Sequence, residues 1–498
     1  MSQDHTVLGH FLLSAEERGL TDMKWNTEAL DRFLEEKIAE RKLPGVAVCI
    51  RGPEGVLFSK GYGHRDGAGL LPVDGDTIFG VASMSKSMTA LALTMLEEEG
   101  KLSLEDPVVR YFPTFQVPGN ARDEVTLRHL AMHTSGIPPM EPLEWSIAMN
   151  TPGRDSKWAR TLQASAPNTM STIQEVIDYI AQGRYPTLGA PGEIMSYSNE
   201  GYAILSYVVD QAAGIPLEQF LQERVFRPLG MERSVMDIAG EEAKVLAKGN
   251  ISALFDLDDD GQLYWDEVWS ALPPFRGSAC VRSTAHDMAR YYQCLSNGGV
   301  LDGVQCLPAG AVEKLAGPAF PTQEKAFYCL GLNKRLLDGH VYCEHSGGLH
   351  GVSSEGGYLQ GENYGFAVLC NQGEVDVTDL LWALYNAVTG RPLEADHRWL
   401  HPTGGTFSQP ELLTGHYVCH EGVPVHWTVS CQDGALSVDQ DGAKRRLLWC
   451  GGTWFQQLDE EGQVVGRCRF HIRNGQAWGV QVYTRVYQRE DYEKETQL

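Results

Sequence analysis

The chain has 498 residues, 43% hydrophobic and 21% charged, a balance that excludes a disordered or fibrous protein. Its formal net charge is −24 and no Lys/Arg run interrupts it, so a nucleic-acid partner is excluded by repulsion. The length predicts two or three domains and a core large enough to shelter a site.

The 11 cysteines are scattered without CxxC spacing, so neither a metal site nor a disulfide framework is expected. Reduced thiols fit a cytoplasmic protein. Residues 1–24 read as an N-terminal extension that lacks the basic and apolar regions of a signal peptide. Nowhere do roughly 18 apolar residues run together, so no membrane span is predicted.

Residues 26–42 place Leu30, Phe33, Leu34 and Ile38 at helical spacing and predict an amphipathic helix. Two short strands, 45–50 and 55–61, follow around a Gly-Pro-Glu-Gly turn. Thr77-Ile78-Phe79-Gly80 is strand-like and leads into a helix from about Ser83 to Glu99, stopped by Gly100. From about 125 to 229 the pattern is mostly helical. A Pro- and Gly-rich stretch between Pro138 and Gly192 interrupts it, and an irregular lid or specificity loop is expected there. Strand-like runs return after Lys248 and over 327–369, and residues 379–389 close the region as a helix. Helices lying between two sets of strands predict one α/β domain over residues 25–390, with a helical insert and a sheet built from both ends.

Residues 391–410 are polar and rich in Pro and Gly, and read as a linker. Over 411–498 the chain becomes short alternating runs: 425–429, 435–438, 446–449, 454–458, 464–472 and 477–487. Asp433-Gly434, Asp441-Gly442, Gly451-Gly452 and Asn474-Gly475 punctuate them as hairpin turns, which predicts a small antiparallel barrel or sandwich.

The chemistry concentrates in three places. Ser83 and Lys86 stand three residues apart where a helix opens, so both side chains fall on one face. A serine hydroxyl is a poor nucleophile without a base beside it, and a lysine serves when burial or a helix N-terminus favours its neutral form. This is the only Ser-x-x-Lys in the chain, and the apolar run Leu91, Leu93, Met95 and Leu96 argues that its helix is buried. The commoner fate of the motif alone is a solvated lysine on a surface helix. The second place is Tyr197-Ser198-Asn199: a tyrosine facing a lysine can share its proton, and Asn199 can donate to a substrate carbonyl. A single tyrosine more often simply covers core. The third is His345-Ser346-Gly347-Gly348, whose small residues let a strand lie against a ligand and whose backbone N–H could join that of Ser83 in an oxyanion hole. By itself it reads more readily as a glycine-rich hairpin turn, with His345 merely polar at a strand end.

Ser83-x-x-Lys86, Tyr197-x-Asn199 and His345-x-Gly347 together resemble the penicillin-recognising serine hydrolases in order and rough spacing. That family includes class C β-lactamases, D-aminopeptidases, D-peptidases and related carboxylesterases. Residues 96–107, Thr126-Leu-Arg-His-Leu-Ala-Met-His-Thr-Ser-Gly136 and Pro228-Leu-Gly-Met231 are similar to the family as well. The resemblance implies a β-lactamase/transpeptidase-like fold: an antiparallel sheet flanked by helices, with a helical subdomain. It implies that Ser83 forms an acyl-enzyme, that Lys86 and Tyr197 move protons, that Asn199 orients substrate, and that the N–H groups of Ser83 and Gly348 hold the oxyanion. His345 stands where many members carry lysine, which points away from penicillins and towards the D-aminopeptidase and amidase/esterase branches. The tail resembles the lipocalin-like barrel appended to some of these peptidases; its other reading is a docking or oligomerisation module.

The expected activity is therefore a peptidase or amidase on small peptides or (D-)aminoacyl amides, with a carboxylesterase or acyltransferase as the alternative and a true β-lactamase or a non-catalytic binding protein as the remote ones. No cofactor and no metal are expected. A small molecule or short peptide is the expected partner, and a homo-oligomer is compatible with the sequence. Asp256, Asp258, Asp260, Gly261 and Glu267 fit a calcium-loop spacing, but strand-like flanks favour a surface hairpin.

Overall fold

The first helix shows how local chemistry sets a boundary. The Asn26 side chain accepts the Ala29 N–H at 3.0 Å, and helix Thr27–Glu40 follows with Leu30, Leu34 and Ile38 buried. The structure is a computed structural model that describes residues 26–153, 156–258, 260–397 and 400–492. The N-terminal extension expected over 1–24 lies outside the described residues. The described chain divides into two units: residues 26–104, 151–153 and 205–397 form one, and 105–150, 156–204 and 400–492 the other.

In the first unit, Gly45–Gly52 forms a hairpin with Gly55–Gly63 and pairs on its other edge with Tyr364–Cys370, Val46 opposite Cys370 and Arg51 opposite Gly365. One sheet is thus built from both ends, as the sequence predicts. Its eight antiparallel strands run in the order Phe320–Gln323, Ala326–Tyr328, Asn333–Leu337, His340–Leu349, Val352–Leu359, Tyr364–Cys370, Gly45–Gly52, Gly55–Gly63. Helix Ala285–Ser296 packs along three of the central strands, while Thr27–Glu40 and Thr378–Thr389 pack on each other and on the sheet. Helix Ser85–Glu98 is buried on every side from Ser85 to Leu96, and its buried Ser85, Lys86, Ser87, Thr89 and Thr94 side chains are bonded to backbone carbonyls. The acidic segment forms the expected hairpin, Leu254–Leu257 with Leu263–Asp266. Asp256, Asp258 and Asp266 are bonded within the protein. Asp258 accepts from the N–H groups of Asp260 and Gln262 at 3.0 and 2.8 Å, and Asp256 and Asp266 bond the two ring nitrogens of His350 at 2.9 and 3.0 Å.

In the second unit the stretch between Pro138 and Gly192 is not an irregular loop. It holds helices Pro142–Asn150, Lys157–Ser165 and Ile173–Gln182. The Pro and Gly residues mark the joints, and the capping residues mark the starts. Pro142 opens its helix, where a missing N–H does no harm. Thr172 and Glu175 form a reciprocal capping box, and Gly183 ends that helix at φ +62°.

The same unit contains a closed eight-stranded antiparallel barrel. Its strands are Gly415–Cys419, Val425–Gln432, Ala435–Gln440, Ala443–Gly451, Trp454–Leu458, Val464–Arg473, Gln476–Val482 and Arg485–Arg489. Alternate residues such as Trp427 and Val429, or Leu436 and Val438, fill its interior with Tyr417, Phe455 and Phe470. Asp433-Gly434, Asp441-Gly442 and Asn474-Gly475 all take positive φ at both positions, the hairpin geometry the sequence predicts. The run over 477–487 is two strands rather than one: Tyr483 turns at φ +51°, and Val482 pairs back on Arg485. Among the described residues no helix is long and apolar enough to cross a membrane.

Candidate active site

Ser83 stands in a single 3-10 turn, Ala82–Met84, immediately before helix Ser85–Glu98. Ala82 takes φ +43°, a left-handed conformation that a residue with a Cβ adopts only when its surroundings impose it. The imposition comes from Ser85, whose hydroxyl donates to the Ala82 carbonyl at 2.6 Å and accepts the Val281 N–H at 3.1 Å. One helical turn on, the Lys86 ammonium nitrogen lies 3.1 Å from Ser83 Oγ and 3.0 Å from the Ser278 carbonyl oxygen. Lys86 is fully buried, whereas Ser83 keeps partial access to solvent. A serine hydroxyl open on one side with an amine sealed behind it is an arrangement in which the amine could activate the hydroxyl.

Strand His340–Leu349 runs beside this turn. At Gly347 a Cβ would fall 2.3 Å from the Val81 carbonyl oxygen and 3.0 Å from the Ser83 nitrogen, so only glycine allows the approach. Ser354 ties the two together, donating to the Val81 carbonyl at 3.0 Å from the neighbouring strand. Gly348 is exposed, with open space where a Cβ would stand. His345 is buried, its ring bonded to the Tyr328 hydroxyl at 3.2 Å and to the Ser346 carbonyl at 2.6 Å.

Tyr197 and Asn199 belong to the second unit. Tyr197 is 6% exposed, and its ring centroid lies 4.1 Å from that of His133. His133 takes φ +57°, which turns its carbonyl to the Ser196 N–H at 2.9 Å and its Nδ1 to the Ser198 N–H at 3.1 Å. Gly136 completes this brace: its carbonyl accepts the Leu188 N–H at 3.0 Å, and at φ +81° a Cβ would meet the Gly189 carbonyl. The phrase from Thr126 to Gly136 is therefore the cradle of the tyrosine segment.

The barrel supplies the other wall. The Tyr197 N–H donates to the Thr484 carbonyl at 2.8 Å, and the Val486 N–H donates to the Ser196 hydroxyl at 3.2 Å. The Arg485 guanidinium lies 4.3 Å from the Tyr197 ring centroid. Glu421, in the loop after the first barrel strand, receives both Arg485 Nε at 2.5 Å and Nη2 at 2.8 Å, and accepts from Asn199 Nδ2 at 3.1 Å. Next in sequence, Glu200 is buried against the Ser198 hydroxyl at 2.9 Å. Burial pushes its carboxyl up to about 7, and the charge of Glu421 adds to the rise.

The structure thus brings Ser83, Lys86 and Gly347 together, places Gly348 beside them on the same strand, and gathers Tyr197 and Asn199 with His133, Glu421 and Arg485. Sequence reasoning singled out none of His133, Ser278, Ser354, Glu421 or Arg485. His133 lay within a family-like phrase, and that was its signal. Glu421 and Arg485 carried none, because a charged residue in a barrel loop is ordinarily solvated.

A model of the Beta-lactamase family matches residues 30–390. Penicillin-binding protein 4* of Bacillus subtilis is 27% identical over 282 residues, covering 55% of this chain and 57% of that protein, so the chain spans little more than half of that relative. The unguisins hydrolase ungD of Aspergillus violaceofuscus is 24% identical over 421 residues, 78% of this chain and 70% of that one. The octameric penicillin-binding protein homologue from Pyrococcus abyssi shares the fold at a TM-score of 0.63, with 23% identity over 93% of this chain and 99% of that chain. With the family model covering most of its length and the Ser-x-x-Lys turn formed, this chain belongs to the Beta-lactamase family.

Proposed function

We propose that this chain is a serine hydrolase that forms an acyl-enzyme through Ser83 and acts on amide bonds of small peptides or (D-)aminoacyl amides. The observation that carries the reading is the 3.1 Å contact between Ser83 Oγ and the Nζ of a fully buried Lys86. Lys86 takes the proton as Ser83 attacks the scissile carbonyl. The carbonyl oxygen becomes an oxyanion, held by the N–H groups of Ser83 and Gly348. Tyr197 acts as general acid/base, delivering a proton to the leaving amine and removing one from the water that releases the acyl group. Asn199 orients the substrate amide.

The absence of a lysine at position 345 supports amides and small peptides over penicillins, because the buried His345 ring is already bonded to Tyr328 and Ser346. The octameric state named for the Pyrococcus protein supports a homo-oligomer, which light scattering checks.

The test is a fluorophosphonate probe followed by peptide mapping, with turnover measured on D- and L-aminoacyl amides, short peptides, simple esters and a chromogenic cephalosporin. Labelling at Ser83 with the highest kcat/KM on an amide or peptide is expected. No labelling at Ser83 ends the mechanism, and ester turnover far above amide turnover replaces the amidase reading with the esterase one.

A further inference from the structure

Two barrel loops place an ion pair on the tyrosine segment that the proposed chemistry does not itself require. Arg485 reaches the Tyr197 ring face at 4.3 Å, and Glu421 holds Arg485 with both carboxylate oxygens while accepting from Asn199. The backbone on either side of Arg485 is bonded to the same segment. Thr484 accepts the Tyr197 N–H at 2.8 Å, and Val486 donates to the Ser196 hydroxyl at 3.2 Å. Arg485 and Tyr197 are therefore held in register by main chain, and do not merely meet at the ends of long side chains.

We propose that Arg485 is a positioning residue for Tyr197 that biases its phenol toward phenolate, and that Glu421 sets the strength of this bias while fixing the Asn199 amide. The inference rests on the acid/base reading of Tyr197 given above. A guanidinium keeps its charge at every working pH. Over an aromatic face it is attracted by the ring, and the attraction grows once the ring oxygen is negative, so the cation favours the deprotonated form. Water screens the pair poorly here, since Tyr197 is buried and the Arg485 side chain is 28% exposed. Burial opposes the charge of Arg485, but Glu421 and then Tyr197 outweigh it, so the cation is held charged where it stands. Glu421 works in the opposite sense on the tyrosine, as an anion that partly neutralises Arg485. The other titratable groups of this cluster are His133, whose ring lies 4.1 Å from that of Tyr197, Glu200 beside Ser198, and the barrel's Cys419 and Tyr487, which interact with Arg485 and Glu421. A plain docking brace between barrel and helices would need the hydrogen bonds but would not move a proton equilibrium.

The experiment uses the full-length chain labelled with 13Cζ-tyrosine, the Tyr197 resonance being identified by its loss in Tyr197→Phe. In Arg485→Met the Tyr197 titration midpoint is expected to rise by roughly one pH unit or more. In Arg485→Lys, which keeps the charge without the fork, it should rise less. In Glu421→Gln it should fall, and this opposite sign carries the test even if Arg485→Met does not fold. Midpoints that stay put in the folded variants, or a rise in Glu421→Gln, overturn the proposal. The alkaline limb of kcat/KM against pH, where Tyr197 loses the proton it gives to the leaving amine, should follow the same shifts. If the resonance moves and the alkaline limb does not, the electrostatic link stands and Tyr197 leaves the proton-transfer scheme.

Discussion

The two halves of the candidate machinery are built in opposite ways. Ser83 and Lys86 are joined by one turn of helix, and their neighbours Ala82 and Ser85 are adjacent in sequence. The Tyr197 segment is held by the carbonyl and ring Nδ1 of His133, bonded to Ser196 and Ser198, on one side, and by Thr484 and Val486 on the other, the Val486–Ser196 contact spanning 290 residues. The nucleophile half is a local pair of side chains, although long-range bonds from Ser278, Val281 and Ser354 seat the turn that carries it. The tyrosine half is a long-range assembly in which a barrel, appended in sequence, is a wall. A change in the barrel should therefore reach Tyr197 through Thr484, Arg485 and Val486.

The largest effect tests the local half. Ser83→Ala should lower kcat by about 10⁴-fold or more, since it removes the bond-forming atom. The thermal midpoint should barely change, because Lys86 keeps its bond to the Ser278 carbonyl at 3.0 Å. Steady-state kinetics and a melt on one preparation suffice, and retained turnover would end the proposed mechanism.

Next comes the long-range half. Trp478 is 5% exposed and packs with Leu188 and Val486, tying the last barrel hairpin to the segment before Tyr197. Trp478→Ala should destabilise by about 3–5 kcal/mol, the usual range for emptying a buried tryptophan site. Hydrogen exchange should then show lost protection over 186–200 and 476–489 and unchanged protection over 82–98. Uniform loss across all three segments would erase the contrast between the halves.

A smaller, pH-dependent effect follows from Glu200, whose carboxyl is raised by burial to about 7. Below about pH 4.5 it is protonated in both folded and unfolded chains, and it favours neither. Between pH 4.5 and 7 the folded protein keeps a proton that the unfolded chain has lost, so stability declines as pH rises through that window. Glu200→Gln should match the wild type near pH 4 and exceed it by up to about 3 kcal/mol at pH 8. Urea unfolding at the two values checks this, and equal stability at pH 8 would mean that Glu200 is ionised without cost.

The difference between the halves also explains what could be read from the chain. Ser83-x-x-Lys86 was visible because helical spacing converts three residues of separation into contact. The shared sheet was visible because its strands alternate and lie at both ends of one region. The barrel turns were visible because Asp-Gly and Asn-Gly take positive φ together. The helices between Pro138 and Gly192 are hidden because Pro and Gly read as breakers along the stretch, whereas they sit at helix ends and the capping pair Thr172 and Glu175 signals order. Glu421 and Arg485 were hidden for a different reason. Their setting is created by tertiary contact, and no local pattern distinguishes a buried ion pair from two solvated charges.

The finest probe separates two neighbouring glycines on one strand. At Gly347 an added methyl would stand 2.3 Å from the Val81 carbonyl oxygen and 2.5 Å from Ser354 Oγ. The serine can rotate away, but the carbonyl is backbone of the strained turn that carries Ser83, so strand and turn must separate. Gly347→Ala should cost about 1–3 kcal/mol of stability. It should slow acylation of Ser83 by more than that loss implies, since a small displacement of the nucleophile is amplified in rate. At Gly348 nothing lies within 4 Å of the same methyl, and alanine keeps the N–H assigned to the oxyanion hole. Gly348→Ala should therefore leave melting and fluorophosphonate labelling close to wild type. Equal damage from both substitutions would show that the strand is sensitive along its length, and that the close approach at Gly347 has no special part in holding the nucleophile.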